Sequence, residues 1–349
     1  MTETRIPIQN IYFILCYAWK QLDEAGRLNV DSSEYSHYVD LFARVLSRGC
    51  SYLFKRGIDR EYIPEKELMT SIKGKIDFTG SLNSIMNGRP HLLCEFDELS
   101  SNVLPNQIIK AVIRKLLTYK SLDKKIHIEL KDIFYRLNGI SDLNLSRLHF
   151  KKVNLHRNNL FYRFVLNVAF IIHESIVLNE ETGDLEFVDF VRDREKMAGI
   201  FEAFVRNFYQ EKLKPQGYEV KPEILKWDIS EIDEVSLGFL PDLRTDISIS
   251  MPNRKIIIDT KYYEECFNVR FDKKKLISNH LYQLIEYCEN SDAASDSNLK
   301  SEGMLLYPSV NNEEPLFYPD LRGRKIFVKF LNLDQVWRKI AQDLESFIL

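Results

Sequence analysis

The chain has 349 residues, 45% hydrophobic and 28% charged, the make-up of a globular protein with room for two domains. Lys and Arg total 48 against 51 Asp and Glu, and the net charge of −3 excludes a protein that coats nucleic acid through bulk positive charge. No apolar run reaches the ~20 residues of a membrane-spanning helix. Met1-Thr2-Glu3-Thr4-Arg5 leads into an amphipathic segment without a small-residue cleavage site, so a cytoplasmic chain is expected.

Residues 6–22 carry Ile11, Ile14, Leu15 and Ala18 on one helical face, with Pro7 suited to a helix start. A second helix is predicted over 36–56, where Val39, Phe42, Ala43, Leu46, Cys50 and Leu53 recur at helical spacing. From 58 to 99 the pattern changes to short strands at 61–63, 72–78 and 92–99, around a helix near 81–86. Gly74 inside the second strand marks a bulge or a close backbone approach. Helices follow up to Tyr119, capped by Asn102 or Asn106, then over 126–137 and 157–178. The polar stretch 179–184 contains Gly183 and is the expected boundary, giving domains of 1–184 and 185–349.

The second domain opens with a helix over 194–213, whose stripe is Phe201, Phe204, Val205 and Phe208. Glu202 sits at the edge of that stripe, as a solvated boundary residue or as a carboxylate reaching a site on the sheet. A strand is predicted over 218–227, and then residues 241–263 read as two strands and a tight turn. Residues 268–275 form a basic loop, placed either for simple solvation or for phosphate-backbone contact. The next helix, 276–288, points Ile277, Leu281, Leu284 and Cys288 at the core, with Gln283 and Tyr287 four apart on a neighbouring face. A polar loop (290–298), strands at 303–308 and 324–331, and a closing helix at 333–347 complete the order.

The chemistry concentrates in 241–263. Ile256, Ile257 and Ile258 make a buried strand that ends in Asp259-Thr260-Lys261, and alternation puts Asp259 and Lys261 on one face. With Pro252-Asn253 as a two-residue turn, or 251–254 as a four-residue loop, paired residue numbers sum to 505 and Asp246 lies opposite Asp259. Their Cβ atoms would then be roughly 4.5–5.5 Å apart; a three-residue loop would shift this register. Two carboxylates that close repel unless a cation sits between them. Mg²⁺ fits, since it takes oxygen ligands and keeps several waters, and Lys261 could position a water or stabilise phosphate charge. The constellation reads as a metal-dependent phosphodiesterase site; a surface hairpin with an ordinary Asp–Lys pair is the alternative. The five cysteines are scattered and the seven histidines form no HxxxH or HExxH pattern, which argues against zinc.

The order helix–strand–strand–strand–helix–strand, with Asp and Asp-Thr-Lys on the central strands, resembles the PD-(D/E)xK endonuclease superfamily. More narrowly, the blocks IPIQNIYFILCYAW, IKGKIDF, FDELSSNVLPNQIIK, TDISI, IIIDTKYY and LYQLIEY resemble the McrC family, nuclease subunits of McrBC modification-dependent restriction systems. The resemblance implies an α+β N-terminal domain of helices and a small antiparallel sheet. An α/β nuclease domain with a mixed central sheet flanked by helices would follow. It also implies that Asp246 and Asp259 bind Mg²⁺ together with the Thr260 carbonyl, that Lys261 is the catalytic lysine, and that Gln283 and Tyr287 orient the site or the DNA. Glu202 is a secondary candidate. So is Asp242, four residues further from the turn and about 13 Å along the strand.

Family members work beside McrB, a hexameric AAA+ GTPase ring that reads modified cytosine in double-stranded DNA. The implied role of 1–184 is a stalk that enters the ring and stimulates its GTPase, with the Lys73-Gly74-Lys75 stretch as a candidate trigger. GTP would bind the partner, since this sequence contains no Gly-x(4)-Gly-Lys-Ser/Thr loop. A double-strand break needs two sites, so dimerisation of the whole complex is expected. The rival readings are a non-catalytic bridging activator and a standalone repair nuclease.

Overall fold

Helix α1 (Ile8–Ala18) turns Ile11, Ile14 and Leu15 inward, and Pro7 ahead of it forfeits no intrahelical hydrogen bond. In the computed structural model the described residues are 6–23, 37–155, 159–178, 185–187, 191, 193–229, 231–262, 267–270, 273–295, 299–311 and 313–349. They divide into two compact units: Asp189–Leu349 with Met1–Gly26 and Asp31–Ser36, and His37–Val188 with Arg27–Val30. Helix α1 therefore belongs to the unit that holds the C-terminal sheet, not to the N-terminal half in which a boundary at 184 placed it. The stretch 179–184 itself lies outside the described residues.

The reason is a set of long-range bonds that local periodicity does not register. Buried Asn10 donates from Nδ2 to the carbonyls of Leu333 (2.8 Å) and Gln335 (2.7 Å). At the other end of the helix, Asn207 Nδ2 donates to the Tyr17 and Ala18 carbonyls, each at 3.0 Å, in the last turn, where carbonyls lack intrahelical partners; Tyr17 also accepts from the Lys20 N–H. Phe13 stacks on Trp337 with centroids 4.9 Å apart. Replacing Asn10 with Ala is expected to cost about 1–3 kcal/mol, read as a lower urea midpoint; an unchanged midpoint would show that these two bonds carry no stability.

In the unit of His37–Val188, helices α2 (Tyr38–Arg56), α4 (Leu104–Thr118), α5 (Lys124–Arg136) and α7 (Leu160–Ser175) pack together, α2 and α4 each against α5 and α7. Val39, Phe42, Leu46, Ile108, Val112, Leu130, Phe164 and Ile172 are buried among them. Asp123 caps α5 from its side chain. Neither Asn102 nor Asn106 caps α4, whose N-cap is Val103; Asn106 is buried instead and bonds the carbonyls of Asp59 and Ser101. The segment predicted as helix through 178 ends at Ser175, because β-branched Ile176 and Val177 continue as strand β4 (Ile176–Leu178), paired with β5 (Leu185–Phe187).

Strands β1 (Glu61–Met69), β2 (Lys75–Ile76) and β3 (Leu92–Ser100) form the small antiparallel sheet in the order β1-β3-β2, with helix α3 (Phe78–Met86) beside β3. Gly74 has φ +71° and lies against the β3 backbone, the close approach expected of it. Short helix α6 (Arg147–Lys152) completes this unit.

The other unit is built on a six-stranded mixed sheet in the order β14-β15-β13-β10-β9-β6. Its strands are β6 (Glu219–Lys221), β9 (Ile247–Met251), β10 (Arg254–Thr260), β13 (Glu302–Ser309), β14 (Leu316–Leu321) and β15 (Arg324–Asn332). The contacts β10–β13 and β13–β15 are parallel, and the others antiparallel. Helix α8 (Arg194–Leu213), coinciding with its predicted span, packs on β6 and β10. Helix α10 (Ser278–Ala293) covers β10 and β13, and α11 (Trp337–Ile348) packs on β15.

Pro222 splits the predicted strand 218–227 into β6 and β7 (Ile224–Leu225). The latter pairs with β8 (Leu243–Arg244) in a ladder of its own, ahead of which lies the single turn of α9 (Glu234–Leu237). Strand β14 and the pairing of β11 (Phe267–Arg270) with β12 (Lys273–Leu276) were not expected from sequence. Among the described residues no helix is long and apolar enough to cross a membrane.

Candidate active site

The site grows from the β9–β10 hairpin. Pro252 and Asn253 form a two-residue turn, and the ladder runs Arg254↔Met251, Ile256↔Ile249 and Ile258↔Ile247. This is the register that puts Asp246 across from Asp259, one step beyond the last pair. Ile256, Ile257 and Ile258 are fully buried, so slipping by one residue would turn this apolar set to the wrong face.

Asp246 sits just before β9, half-buried. Its Oδ2 accepts two bonds from Thr260, from the main-chain N–H and from Oγ1, each at 2.8 Å. Asp259, on β10, has no exposed surface. Lys261 Nζ donates to its Oδ1 at 3.0 Å and lies 2.9 Å from Oδ2, yet Oδ2 has no hydrogen bond of its own. Burial pushes the Asp259 carboxyl up to about 7; Lys261 opposes the rise, and the charges of Asp246 and Glu202 add to it.

Lys261 is held from both ends. Its main-chain N–H bonds the Leu306 carbonyl on β13 at 2.9 Å, and Nζ also reaches Gln283 Oε1 at 2.8 Å. Gln283 Nε2 in turn donates to Tyr287 OH at 2.7 Å. Tyr287 is buried, and that burial raises its pKa; the Gln283 bond opposes the rise, and Asp259, Asp246 and Glu202 add to it. Four residues apart on α10, Gln283 and Tyr287 thus form a relay ending on the lysine.

Glu202, on α8, is ion-paired with Arg206 one turn along, and its charge is felt at Asp259. Asp242 is exposed and lies ahead of β8, outside the six-stranded sheet. The single continuous strand expected over 241–250 does not form. Thr245 breaks it by bonding the Glu223 carbonyl through its N–H (2.9 Å) and contacting Ser248 Oγ (3.0 Å), so the distance counted along a strand to Asp242 does not apply.

Two participants were missed from sequence. The Thr260 hydroxyl bonds the Asp246 carboxylate. His280, buried at the start of α10, has Nδ1 2.9 Å from Tyr307 OH; burial, then Lys261, lowers its pKa to about 4. The signal for His280 was present: positions 280, 283 and 287 share one helical face.

All the offered donors are oxygens. Among the described residues no group of three or more His, Cys, Asp or Glu able to hold a metal occurs, and the acidic groups gathered here are the Asp246 and Asp259 carboxylates. A hard ion that retains several waters fits this set, and buried Asp259 Oδ2, which accepts no hydrogen bond and has the Lys261 ammonium 2.9 Å away, is an acceptor open to it.

A mixed sheet whose central antiparallel pair ends in two carboxylates and a lysine, with helices packed on it, is consistent with a nuclease-like fold. A family model described as "McrBC 5-methylcytosine restriction system component" matches residues 10–308. The Type IV methyl-directed restriction enzyme EcoKMcrBC of Escherichia coli (strain K12) is 31% identical over 344 residues, covering 99% of this chain and 97% of that protein. The chain belongs to the McrBC restriction-component family, as an McrC-like member. A chain from the half-complex of Thermococcus gammatolerans McrB AAA+ hexamers with bound McrC shares the fold, with a TM-score of 0.61 and 17% identity. That match covers 98% of this chain and 76% of the other.

Proposed function

We propose that this chain is the Mg²⁺-dependent DNA endonuclease subunit of a cytoplasmic, GTP-dependent restriction complex directed at modified cytosine. The observation that carries the reading is the Asp246/Asp259/Lys261 set at the end of one hairpin, with the fully buried Asp259 carboxyl set against the Lys261 ammonium. Asp246, Asp259 and the Thr260 carbonyl would hold the ion. When bound, Mg²⁺ supplies Lewis-acid neutralisation of a phosphodiester. Thr260 fixes the Asp246 carboxylate by its two bonds, and Lys261, steadied by Gln283 and Tyr287, presents an ammonium to charge developing on the phosphoryl oxygens.

The unit of His37–Val188 is read as the module that engages an McrB-like AAA+ GTPase and stimulates it. Its small sheet and α3 expose Tyr62, Ile72, Phe78 and Met86, an apolar surface suited to a protein partner. Double-strand cleavage then calls for two copies in the assembled complex. The test is cleavage of methylated DNA with the partner ring, GTP and Mg²⁺. Asp259→Ala and Lys261→Ala are each expected to lose at least about 10²-fold in rate, with GTPase stimulation retained. Undiminished cutting by both would sink the proposal, and absence of cutting by the intact chain would favour a bridging activator.

A further inference from the structure

Helix α10 carries Gln283, which meets the Lys261 ammonium, yet the helix starts on an apolar residue. Its N-cap is Ile277, whose side chain has no atom that can accept from the first-turn N–H groups. A helix start of this kind frays unless tertiary contacts pin it. Further along, Leu284, Tyr287 and Cys288 are buried in one core cluster with Ile257, Leu305 and Tyr307, so the body of α10 is secure. The first turn needs an anchor of its own.

His280 supplies one. Its side chain is buried in that first turn, and Nδ1 lies 2.9 Å from Tyr307 OH. Tyr307 is a firm attachment point: it has no exposed surface, and its ring stacks on Phe330 of β15 with centroids 5.7 Å apart and planes 22° apart. Separating a buried imidazole from a buried phenol takes a hydrogen-bond partner from each in a dry environment, which makes the contact hard to give up. Burial, then Lys261, lowers the His280 pKa to about 4, so at neutral pH the contact brings no second cation beside the lysine.

The place of Tyr307 on β13 gives this contact its reach. Its neighbour Leu306 accepts the Lys261 main-chain N–H at 2.9 Å. One turn on from His280 along α10, Gln283 Oε1 accepts from Lys261 Nζ at 2.8 Å. The strand thus holds the main chain of Lys261 and the helix holds its ammonium. The His280–Tyr307 bond ties that strand position to that helix turn, closing a ring of contacts through Lys261, Leu306, Tyr307, His280 and Gln283.

We infer that His280, through Tyr307, is a positioning residue for Lys261: it locks the first turn of α10 to β13 so that Gln283 meets the ammonium in its working place. This rests on the endonuclease reading above, in which Lys261 faces charge developing on the phosphoryl oxygens. A displacement of about 1 Å in such a group costs up to about 10²-fold in rate.

The experiment has two readouts on the full-length chain. The first needs no activity: the rate at which an amine-directed reagent acetylates Lys261 in EDTA, followed by peptide mass spectrometry. In the parent, the Lys261 side chain is 14% exposed and its Nζ is held between Asp259 and Gln283. His280→Ala and Tyr307→Phe are each expected to speed its acetylation severalfold. The second readout is cleavage of methylated DNA with the partner ring, GTP and Mg²⁺, where both variants are expected to lower kcat about 10-fold with KM unchanged. Tyr307→Phe keeps the stacked ring and removes only the hydroxyl, so it decides the matter if His280→Ala fails to fold. Gln283→Ala is expected to match Tyr307→Phe, and the double variant to be no worse than Gln283→Ala alone, as for groups acting along one path. Asn290→Ala, which removes bonds to Asp228 and Glu286 at the far end of α10, is expected to lower the melting temperature and leave both readouts at parent values, which separates an anchor from general loosening. Parent-like acetylation in both His280→Ala and Tyr307→Phe would overturn the inference, as would a double variant whose loss is the product of the two single losses. If the intact chain cuts while acetylation is unaltered, the anchor fails and the nuclease stands. If acetylation rises as expected but the intact chain never cuts, the nuclease fails and the anchor stands.

Discussion

Asp259→Asn is expected to abolish cutting and yet to make the metal-free protein more stable at pH 8. In the folded chain the Asp259 carboxyl keeps its proton up to about pH 7, whereas its ordinary value is 3.8. The neutral form therefore stabilises the fold fully below pH 3.8, and that contribution is lost as the pH rises to 7. Above pH 7 the folded state carries a buried charge that costs, at about 1.4 kcal/mol per unit of displacement, on the order of 4 kcal/mol. Asn keeps the neutral shape at every pH.

In EDTA the melting temperatures of the two proteins should coincide near pH 4 and separate by several degrees at pH 8, with Asn higher. His280 titrates in an overlapping window with the opposite sign, since its lowered pKa costs stability as the pH falls from 6.5 toward 4. It does so in both proteins, so the difference between them isolates Asp259. Added Mg²⁺ should raise the melting temperature of the parent at pH 8 and leave Asp259→Asn where it was. A parent that melts at the same temperature with and without Mg²⁺ would remove Asp259 from the metal-holding role.

Gly74→Ala should cripple the other unit. At φ +71° an L side chain is strained by roughly 1–2 kcal/mol. The added Cβ would also run into the Glu95 carbonyl oxygen and lie 2.8 Å from Phe96 Cβ. The obstacle is main chain, so relief requires moving β2 off β3, and overpacking of this kind costs about 1–3 kcal/mol more. The combined loss is about 2–5 kcal/mol, concentrated in the three-stranded sheet. Gly57→Ala is the control: its φ of +91° carries the same class of strain, but nothing lies within 4 Å of the new Cβ. A smaller melting shift for Gly57→Ala than for Gly74→Ala is the expected result, and equal shifts would mean that the β2–β3 contact contributes nothing. On the proposed division of labour, Gly74→Ala should also weaken GTPase stimulation before it affects DNA cleavage.

How much of this was readable beforehand differs from element to element. The β9–β10 hairpin was, because its register depends on quantities local to some twenty residues: a two-residue turn at Pro252-Asn253 and an apolar run that must face inward. Helix α8 was readable for the same reason, its stripe of Phe201, Phe204, Val205 and Phe208 being a pattern of period 3.6. Gly74 announced a close approach, though not which strand it approached. The basic segment at 268–275 was read as a loop because five of the six residues 270–275 are charged, and only the pairing of β11 with β12 shows strands there.

Other features had no local signal at all. The assignment of α1 to the C-terminal sheet's unit depends on Asn10 meeting carbonyls more than 320 positions away. The bond from Thr260 to Asp246 depends on β9 stopping one residue short of the aspartate, where Thr245 binds Glu223 in the break between β6 and β7. Turn chemistry and hydrophobic period act over a few residues, so the sequence was sufficient for which residues form the carboxylate–lysine pair and on which face. Burial and long-range hydrogen bonds act between segments brought together only in the fold. They alone decided that Asp259 would be desolvated, that Gln283 and Tyr287 would steady Lys261, and that Asp242 would stand outside the sheet.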